Sequence, residues 1–244
     1  MKAKPTPGLF VTGTDTEVGK TFVAALIVGQ LVAAGKRVGV YKPVASGCRQ
    51  EGDTLVSDDA LALWHAAGKP GLLDRVCPQR FAAPLAPHLA AQAEGKQIDT
   101  ALLRGGLDYW LANSDVVVVE GAGGLLSPLS DKQYVADMAY DFGFPLIVVT
   151  RNTLGTIHRT LSTLVVAVTY RDGMDVAAVI LNDPPPDATD TSGATNLPEL
   201  QTRCMPPVLG PLAWGAALLA EPVDWYALAG VTVKNPATKT SRRR

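Results

Sequence analysis

LFVTGTDTEVGKT, residues 9–21, joins an apolar run to a glycine, a polar turn and a Gly-Lys-Thr ending. The apolar run closing on Gly13 reads as a buried strand. Gly19-Lys20-Thr21 opens a stretch of helical period from about 19 to 34, closed by Gly35. Strand, glycine-bounded turn and helix in that order are the context of a phosphate-binding loop. N–H groups at a helix start, and the positive end of its dipole, attract phosphate oxygens. Lys20 is then placed to reach the terminal phosphates and the Thr21 hydroxyl to bind Mg²⁺. The spacing is unusual. The common pattern sets four residues between its first glycine and the Gly-Lys-[Ser/Thr] ending, whereas Gly13 and Gly19 enclose Thr14, Asp15, Thr16, Glu17 and Val18. The extra residue leaves the mechanism intact, because the N–H groups nearest Lys20 do the cradling.

Outward from that loop, short β-branched runs alternate with helical stretches. RVGVYKP (37–43), DVVVVEGAGG (115–124), PLIVVT (145–150) and VAAVILN (176–182) read as strands, with VLGPLAW (208–214) a weaker one. SDDALALWHAAG (57–68) reads as a helix capped by Ser57 or Asp58 and stopped by Gly68, and a second helical pattern covers about 156–171. Uninterrupted valine and isoleucine runs imply strands covered on both faces. The expectation is a doubly wound, mostly parallel α/β sheet flanked by helices, of the P-loop nucleoside triphosphate hydrolase type. It forms one domain over 1–244, ordered over about 8–235. DPPPDATDTSGATN (183–196) reads as a loop within it.

Composition narrows the function classes. Hydrophobic residues are 47% and charged residues 18% of 244, which suits a buried globular core rather than disorder. A net charge of −1 gives no global pull toward nucleic acid or anionic membrane. The basic cluster Lys239, Arg242, Arg243 and Arg244 reads as a frayed, flexible terminus. Cys48, Cys77 and Cys204 have neither disulfide-framework nor zinc spacing. MKAKPTPG lacks the apolar core of a signal peptide, and no apolar run nears the ~20 residues of a bilayer span. A reduced, cytoplasmic protein without a nucleic-acid or membrane partner is expected.

Chemistry gathers where strands end, the edge at which open α/β sheets bind ligands. Glu120 follows four valines, and a carboxylate there is costly to bury unpaired, which marks it as a metal-facing acid. Asp58 and Asp59 start a helix, where capping and dipole compensation account for at least one of them. Gly121, Gly123 and Gly124 leave room for close approach by a ligand. Lys42 ends a strand and either snorkels to solvent or neutralises charge on a transferred group, with the Ser46 hydroxyl nearby. Asn182 ends another strand with an amide able to pair with an adenine edge, although Asn-Asp before proline is also a common turn. His65, His88 and His158 show no metal spacing; His65 falls on a helix and His88 in a loop.

TGTDTEVGKT, YKPVASG, SDDALAL, EGAGG, NTLGTI and LND, in this order, resemble the dethiobiotin synthetase family over about residues 10–214. That family carries the longer phosphate loop with five enclosed residues. The resemblance implies an ATP- and Mg²⁺-dependent ligase of biotin biosynthesis. It carboxylates 7,8-diaminononanoate with CO₂ through a carbamate and a carbamic-phosphoric anhydride, and releases the cyclic urea, ADP and phosphate. It implies ATP contacts at Glu17, Val18, Gly19, Lys20, Thr21, Phe22, Asp59, Glu120, Gly121, Ala122, Gly123, Asn182 and Asp183. Thr21, Asp59 and Glu120 hold Mg²⁺ by the same resemblance, and Lys42 is the catalytic lysine with Lys20. Thr16, Ser46 and Gly123 meet the diamine and its carbamate. Leu154, Gly155, Thr156 and His158 reach across a homodimer interface to the substrate's carboxylate tail.

The chain departs from the family pattern at His158-Arg159, where Asn-His is usual, and at Leu212-Ala213-Trp214, where Ile-Pro-Trp is usual. Segment 183–197 is also longer and richer in proline. Related amidotransferase-linked synthetases append a glutaminase domain for which this chain has no room. Partition-type switch ATPases carry a lysine early in the loop, where Thr14 stands here. A regulator that has lost catalysis fits poorly with the retention of Lys20, Lys42, Asp59 and Glu120.

Overall fold

The valine-rich runs lie side by side in one parallel sheet. The computed structural model describes residues 6–186 and 190–230. The order along the chain begins with β1 (Gly8–Gly13), α1 (Lys20–Ala33), β2 (Val38–Tyr41), β3 (Val44–Ala45), β4 (Arg49–Glu51) and β5 (Thr54–Val56). It continues with α2 (Asp58–Ala66), α3 (Leu73–Val76), β6 (Gln79–Arg80), α4 (Pro87–Ala93), α5 (Thr100–Asn113) and β7 (Val116–Gly124). The last third holds α6 (Val135–Phe142), β8 (Leu146–Arg151), α7 (Thr156–Thr169), β9 (Val176–Asn182), α8 (Gly193–Arg203), β10 (Val208–Leu212) and α9 (Trp225–Ala229).

The main sheet has the order β10-β9-β8-β1-β7-β2, and every pairing in it is parallel. The expected strands are all there, and the doubly wound fold with them. From β1 the chain crosses over β7 to β2, while β8, β9 and β10 step away in the other direction. Right-handed crossovers then put α1 and α7 on opposite faces and open a crevice at the carboxyl end of β1. Val116 through Val119 and Leu146 through Val149 have no exposed surface. Each such side chain stabilises the fold by about 1.5–3 kcal/mol relative to exposure.

Packing beside the sheet fixes the strand that ends in Lys42. Tyr41 is fully buried, and its Oη donates to the Leu103 carbonyl at 2.8 Å. The helix that receives it must be bare at Gly106, where a Cβ would lie 2.2 Å from Tyr41 Oη. The Lys42 backbone N–H then donates to the Val76 carbonyl at 2.8 Å, steering the chain off the sheet.

Two expectations are corrected. The stretch 183–196 is not loop throughout, because α8 begins at Gly193 and runs through Pro198 to Arg203. Asn196 on its first turns is buried and donates to Asn152 Oδ1 at 2.9 Å, a tertiary contact that overrides the polar, proline-containing sequence. His88 lies in α4 rather than a loop, since Pro87 occupies the first helical turn, where its missing N–H costs nothing. The basic C-terminal cluster lies outside the described residues. No helix among the described residues is long and apolar enough to cross a membrane.

Candidate nucleotide and metal site

At the carboxyl end of β1 the chain turns through an exposed ridge, Asp15–Glu17, before α1 begins. Two residues take left-handed backbone, Glu17 at φ 56° and Gly19 at φ 92°. Glycine is required at 19 for a second reason: a Cβ there would stand 2.2 Å from Asn182 Nδ2. That amide donates to the Val18 carbonyl at 3.0 Å and latches the loop to β9. Its Oδ1 is buried without a partner among the described residues, which leaves an acceptor unused. At the other end Thr14 Oγ1 donates to Thr150 Oγ1 at 3.1 Å. Lys20 folds back, its ammonium donating to the Asp15 carbonyl at 3.1 Å. Burial and then the nearby Lys42 hold the Lys20 pKa below its ordinary value.

Lys42 does not snorkel: it is 3% exposed, and its Nζ lies 2.6 Å from Glu120 Oε1, 2.9 Å from Asp59 Oδ2 and 3.3 Å from the Gly121 carbonyl. Burial alone would lower its pKa, but Glu120 and Asp59 outweigh burial, so the ammonium stays protonated and above its usual range. Glu120 has no exposed surface, and its desolvation raises the carboxyl pKa against the opposing pull of Lys42. Asp59 feels burial too, yet Lys42 wins and its pKa is lowered. The two helix-start acids separate cleanly. Ser57 caps α2 by accepting from Ala60 N, Asp58 faces outward to Arg49, and Asp59 turns inward to Lys42 and Thr21.

Thr21 Oγ1 lies 2.8 Å from Asp59 Oδ1 and 2.9 Å from Glu120 Oε1, with one proton to share between them. Glu120 Oε2 is buried with no partner among the described residues. One hydroxyl and two carboxylates, with an oxygen left over, form a hard-oxygen set suited to Mg²⁺ completed by phosphates and water. Among the described residues there is no group of three or more His, Cys, Asp or Glu side chains that could hold a metal ion.

These groups line a cavity of about 1160 Å³. Of the residues expected at the site, it brings together Thr16, Glu17, Gly19, Lys20, Thr21, Phe22, Lys42, Ser46, Asp59, Glu120, Ala122, Gly123, Asn182 and Asp183. Val18 and Gly121 instead offer buried or backbone groups to Asn182 and Lys42. The LGTI segment lies apart. Leu154 is 78% exposed, Gly155 caps α7 in left-handed backbone, and Thr156 is buried with its hydroxyl 2.7 Å from Thr150 Oγ1. His158 borders a second cavity of about 460 Å³, which shares Thr16 and Ser127 with the first. Reasoning from sequence missed Arg151 and the Pro84–Pro87 segment, both of which line the main cavity. Arg151 carried the same signal as Lys42, a cation closing an apolar strand.

A family model described as an AAA domain matches residues 7–221. The ATP-dependent dethiobiotin synthetase of Rhodopirellula baltica is 41% identical over 96% of this chain and 92% of its own length. The enzyme of that name from Anaeromyxobacter dehalogenans is 41% identical over 85% and 90%, and that of Escherichia coli K12 is 38% identical over 84% and 89%. Among solved structures, a ParA family ATPase from Chlorobium tepidum covers 83% of this chain and 82% of its own at 14% identity, with a TM-score of 0.49.

Proposed function

The chain belongs to the ATP-dependent dethiobiotin synthetase family, ligases of biotin biosynthesis, and on that footing we propose how its own residues carry out the ring closure. The substrates are ATP, 7,8-diaminononanoate and CO₂. One amine of the diamine attacks the carbon of CO₂ and loses a proton, giving a carbamate. A carbamate oxygen attacks the γ-phosphorus and ADP leaves. The second amine then attacks the carbonyl carbon of the mixed anhydride and loses a proton, the C–O bond to phosphate breaks, and the cyclic urea closes.

The observation that carries this reading is the buried Lys42 ammonium, held 2.6 Å from Glu120 and 2.9 Å from Asp59 beside the phosphate loop. A fixed cation in a dry site stabilises negative charge where a carbamate meets a phosphate far more than a solvated one does. The backbone of residues 17–19, with Lys20 and Thr21, orients the triphosphate. Thr21, Asp59 and Glu120 are the residues that would hold Mg²⁺, which would supply neutralising charge to the triphosphate there. Thr16 and Ser46 offer hydroxyls to the amines and carbamate. No side chain acts as a nucleophile; positioning and charge supply the rate.

The second cavity extends the reading to the carbon chain of the diamine. It is bordered by His158 and meets the nucleotide cavity at Thr16. Exposed Leu154 at 78%, Val165 at 58% and Val168 at 62% on and before α7 fit a homodimer in which the LGTI segment reaches the partner's substrate. The test is ADP release measured with each substrate omitted. Release is expected to require both the diamine and bicarbonate-derived CO₂. ADP release at full rate without diamine would overturn the mechanism.

A further inference from the structure

Arg151 closes β8, and its partner in the parallel register is Asn182 on β9. Residues paired in parallel register share a face of the sheet, and neighbours along a strand alternate. Thr150 points to the α7 side, where its hydroxyl meets Thr156 and Thr160. Arg151 therefore stands on the opposite face with Asn182, beside the phosphate loop, and its side chain lines the main cavity. Among the described residues this guanidinium has no hydrogen-bond, ion-pair or aromatic partner. Every other described arginine is paired, from Arg37 on Asp115 and Arg75 over Tyr109 to Arg159 on the Leu154 carbonyl and Arg203 on Glu199. A guanidinium fixed at a strand end, half-buried and unengaged, is a donor awaiting a ligand.

The sheet order tells which part of the ligand it meets. Glu120 on β7 and Lys42 after β2 lie on one side of β1, and Arg151, Asn182 and the residues after β10 lie on the other. A triphosphate centred on the β1–α1 loop, with its reacting end toward Lys42, sends its nucleoside toward β8, β9 and β10. Trp214, 58% exposed, lines that same end. Two strand spacings, about 10 Å, separate β8 from β10, which spans a base and its sugar. We infer that Arg151 grips the nucleoside of the bound triphosphate, its planar guanidinium stacking on or donating to the base and ribose, and makes no contact with the phosphates. This rests on the reading of the cleft as a nucleoside triphosphate site.

Calorimetric titration of ATP and of inorganic tripolyphosphate, both with Mg²⁺, separates the two ends of the ligand. The wild-type chain is expected to bind both. Arg151→Ala and Arg151→Gln, each checked for an unchanged melting temperature, are expected to bind ATP about tenfold more weakly and tripolyphosphate as before. In turnover the loss falls on KM for ATP and not on kcat, and Arg151→Lys recovers little because a point charge does not replace a planar fork. Equal weakening of ATP and tripolyphosphate would overturn the inference by moving Arg151 to the phosphates, and unchanged ATP binding in both variants would overturn it outright. Failure of the wild-type chain to bind either ligand would instead remove the nucleotide reading beneath it, a result distinct from both.

Discussion

Replacing Lys42 by Met removes a cation from one carboxylate that has no access to water. Glu120 has no exposed side-chain surface and Lys42 only 4%, so this pair feels almost no solvent screening. Asp59, with 45% of its side chain exposed, can rehydrate and adds little to the loss. Breaking a buried pair at one end costs about 3–5 kcal/mol, because the remaining charge stays desolvated. Glu120 has one escape, which is to take up a proton. From an ordinary carboxyl pKa near 4.3, protonation costs about 1.36 kcal/mol per pH unit, hence about 3.7 kcal/mol at pH 7 and about 1 kcal/mol at pH 5. The cost of Lys42→Met is therefore capped at about 3.7 kcal/mol at pH 7, a melting-point drop of roughly 10 °C for a chain of this size. In the variant the folded pKa of Glu120 is raised, already the direction of its burial in the wild type. An acid raised in the folded state stabilises below its unfolded pKa and loses that stability as pH rises. Urea denaturation followed by circular dichroism at pH 5 and pH 7, in EDTA so that no metal replaces the ammonium, measures this directly. Most of the stability lost at pH 7 should return at pH 5, and Lys42→Met combined with Glu120→Gln should lie near wild type at both. A loss equal at the two pH values, or none at pH 7, would refute the argument from a desolvated pair. ADP release by the folded Lys42→Met variant should fall by at least about 100-fold.

Gly19→Ala should weaken ATP binding severely while leaving the sheet folded. It puts a Cβ into left-handed backbone at φ 92° and 2.2 Å from Asn182 Nδ2, at a strain of about 1–3 kcal/mol, and forces that latch off Val18. Binding calorimetry beside a thermal melt checks both halves. Thiol titration tests the interior of the cleft wall: burial pushes the Cys77 thiol up to about 12, and burial also raises Cys48, which is 6% exposed. Only half-buried Cys204 should react with a disulfide reagent at pH 8 in the native chain, and all three after unfolding. Rapid native modification of Cys77 would show that the wall behind Lys42 opens.

The central strands were legible because a strand buried on both faces must be apolar at every position, as Val116–Val119 are. Lys42 and Glu120 were legible for the converse reason, being charges at the ends of such strands. Asp58 and Asp59 could not be told apart from spacing, since either can cap a helix. The choice was made by Arg49 drawing Asp58 outward and Lys42 drawing Asp59 in, two contacts set by tertiary placement. Helix α5 hid its apolar face, Leu103, Leu107 and Trp110, behind Gly105-Gly106, a pair that lowers helix propensity. Gly106 is there for Tyr41 on a strand 62 residues away from the Leu103 carbonyl that its hydroxyl reaches, which no local pattern reports. Helix α8 was hidden in the same way, by a proline and polar residues whose one buried member, Asn196, is held by Asn152 on another segment as well as by Ser192 at the start of its own.

The five enclosed residues of the phosphate loop acquire a physical reason from how they are tied down. Thr14 is fastened toward α7 through Thr150, and Val18 toward β9 through Asn182, so both feet of the loop are fixed to strands on the far side of β1. Lys20 Nζ bonds the Asp15 carbonyl across the loop's base. Asp15, Thr16 and Glu17 form the exposed crest, and Glu17 takes left-handed backbone at φ 56° to let it turn back. Thr16 on that crest borders both the nucleotide cavity and the second one, with Ser127 opposite as the other shared residue. The added length is therefore absent from the anchored, phosphate-facing half of the loop and present in the half that divides the two cavities. In the mechanism proposed above two ligands meet at Lys42, and such a partition would separate the ligands' bodies and leave their reacting ends in common.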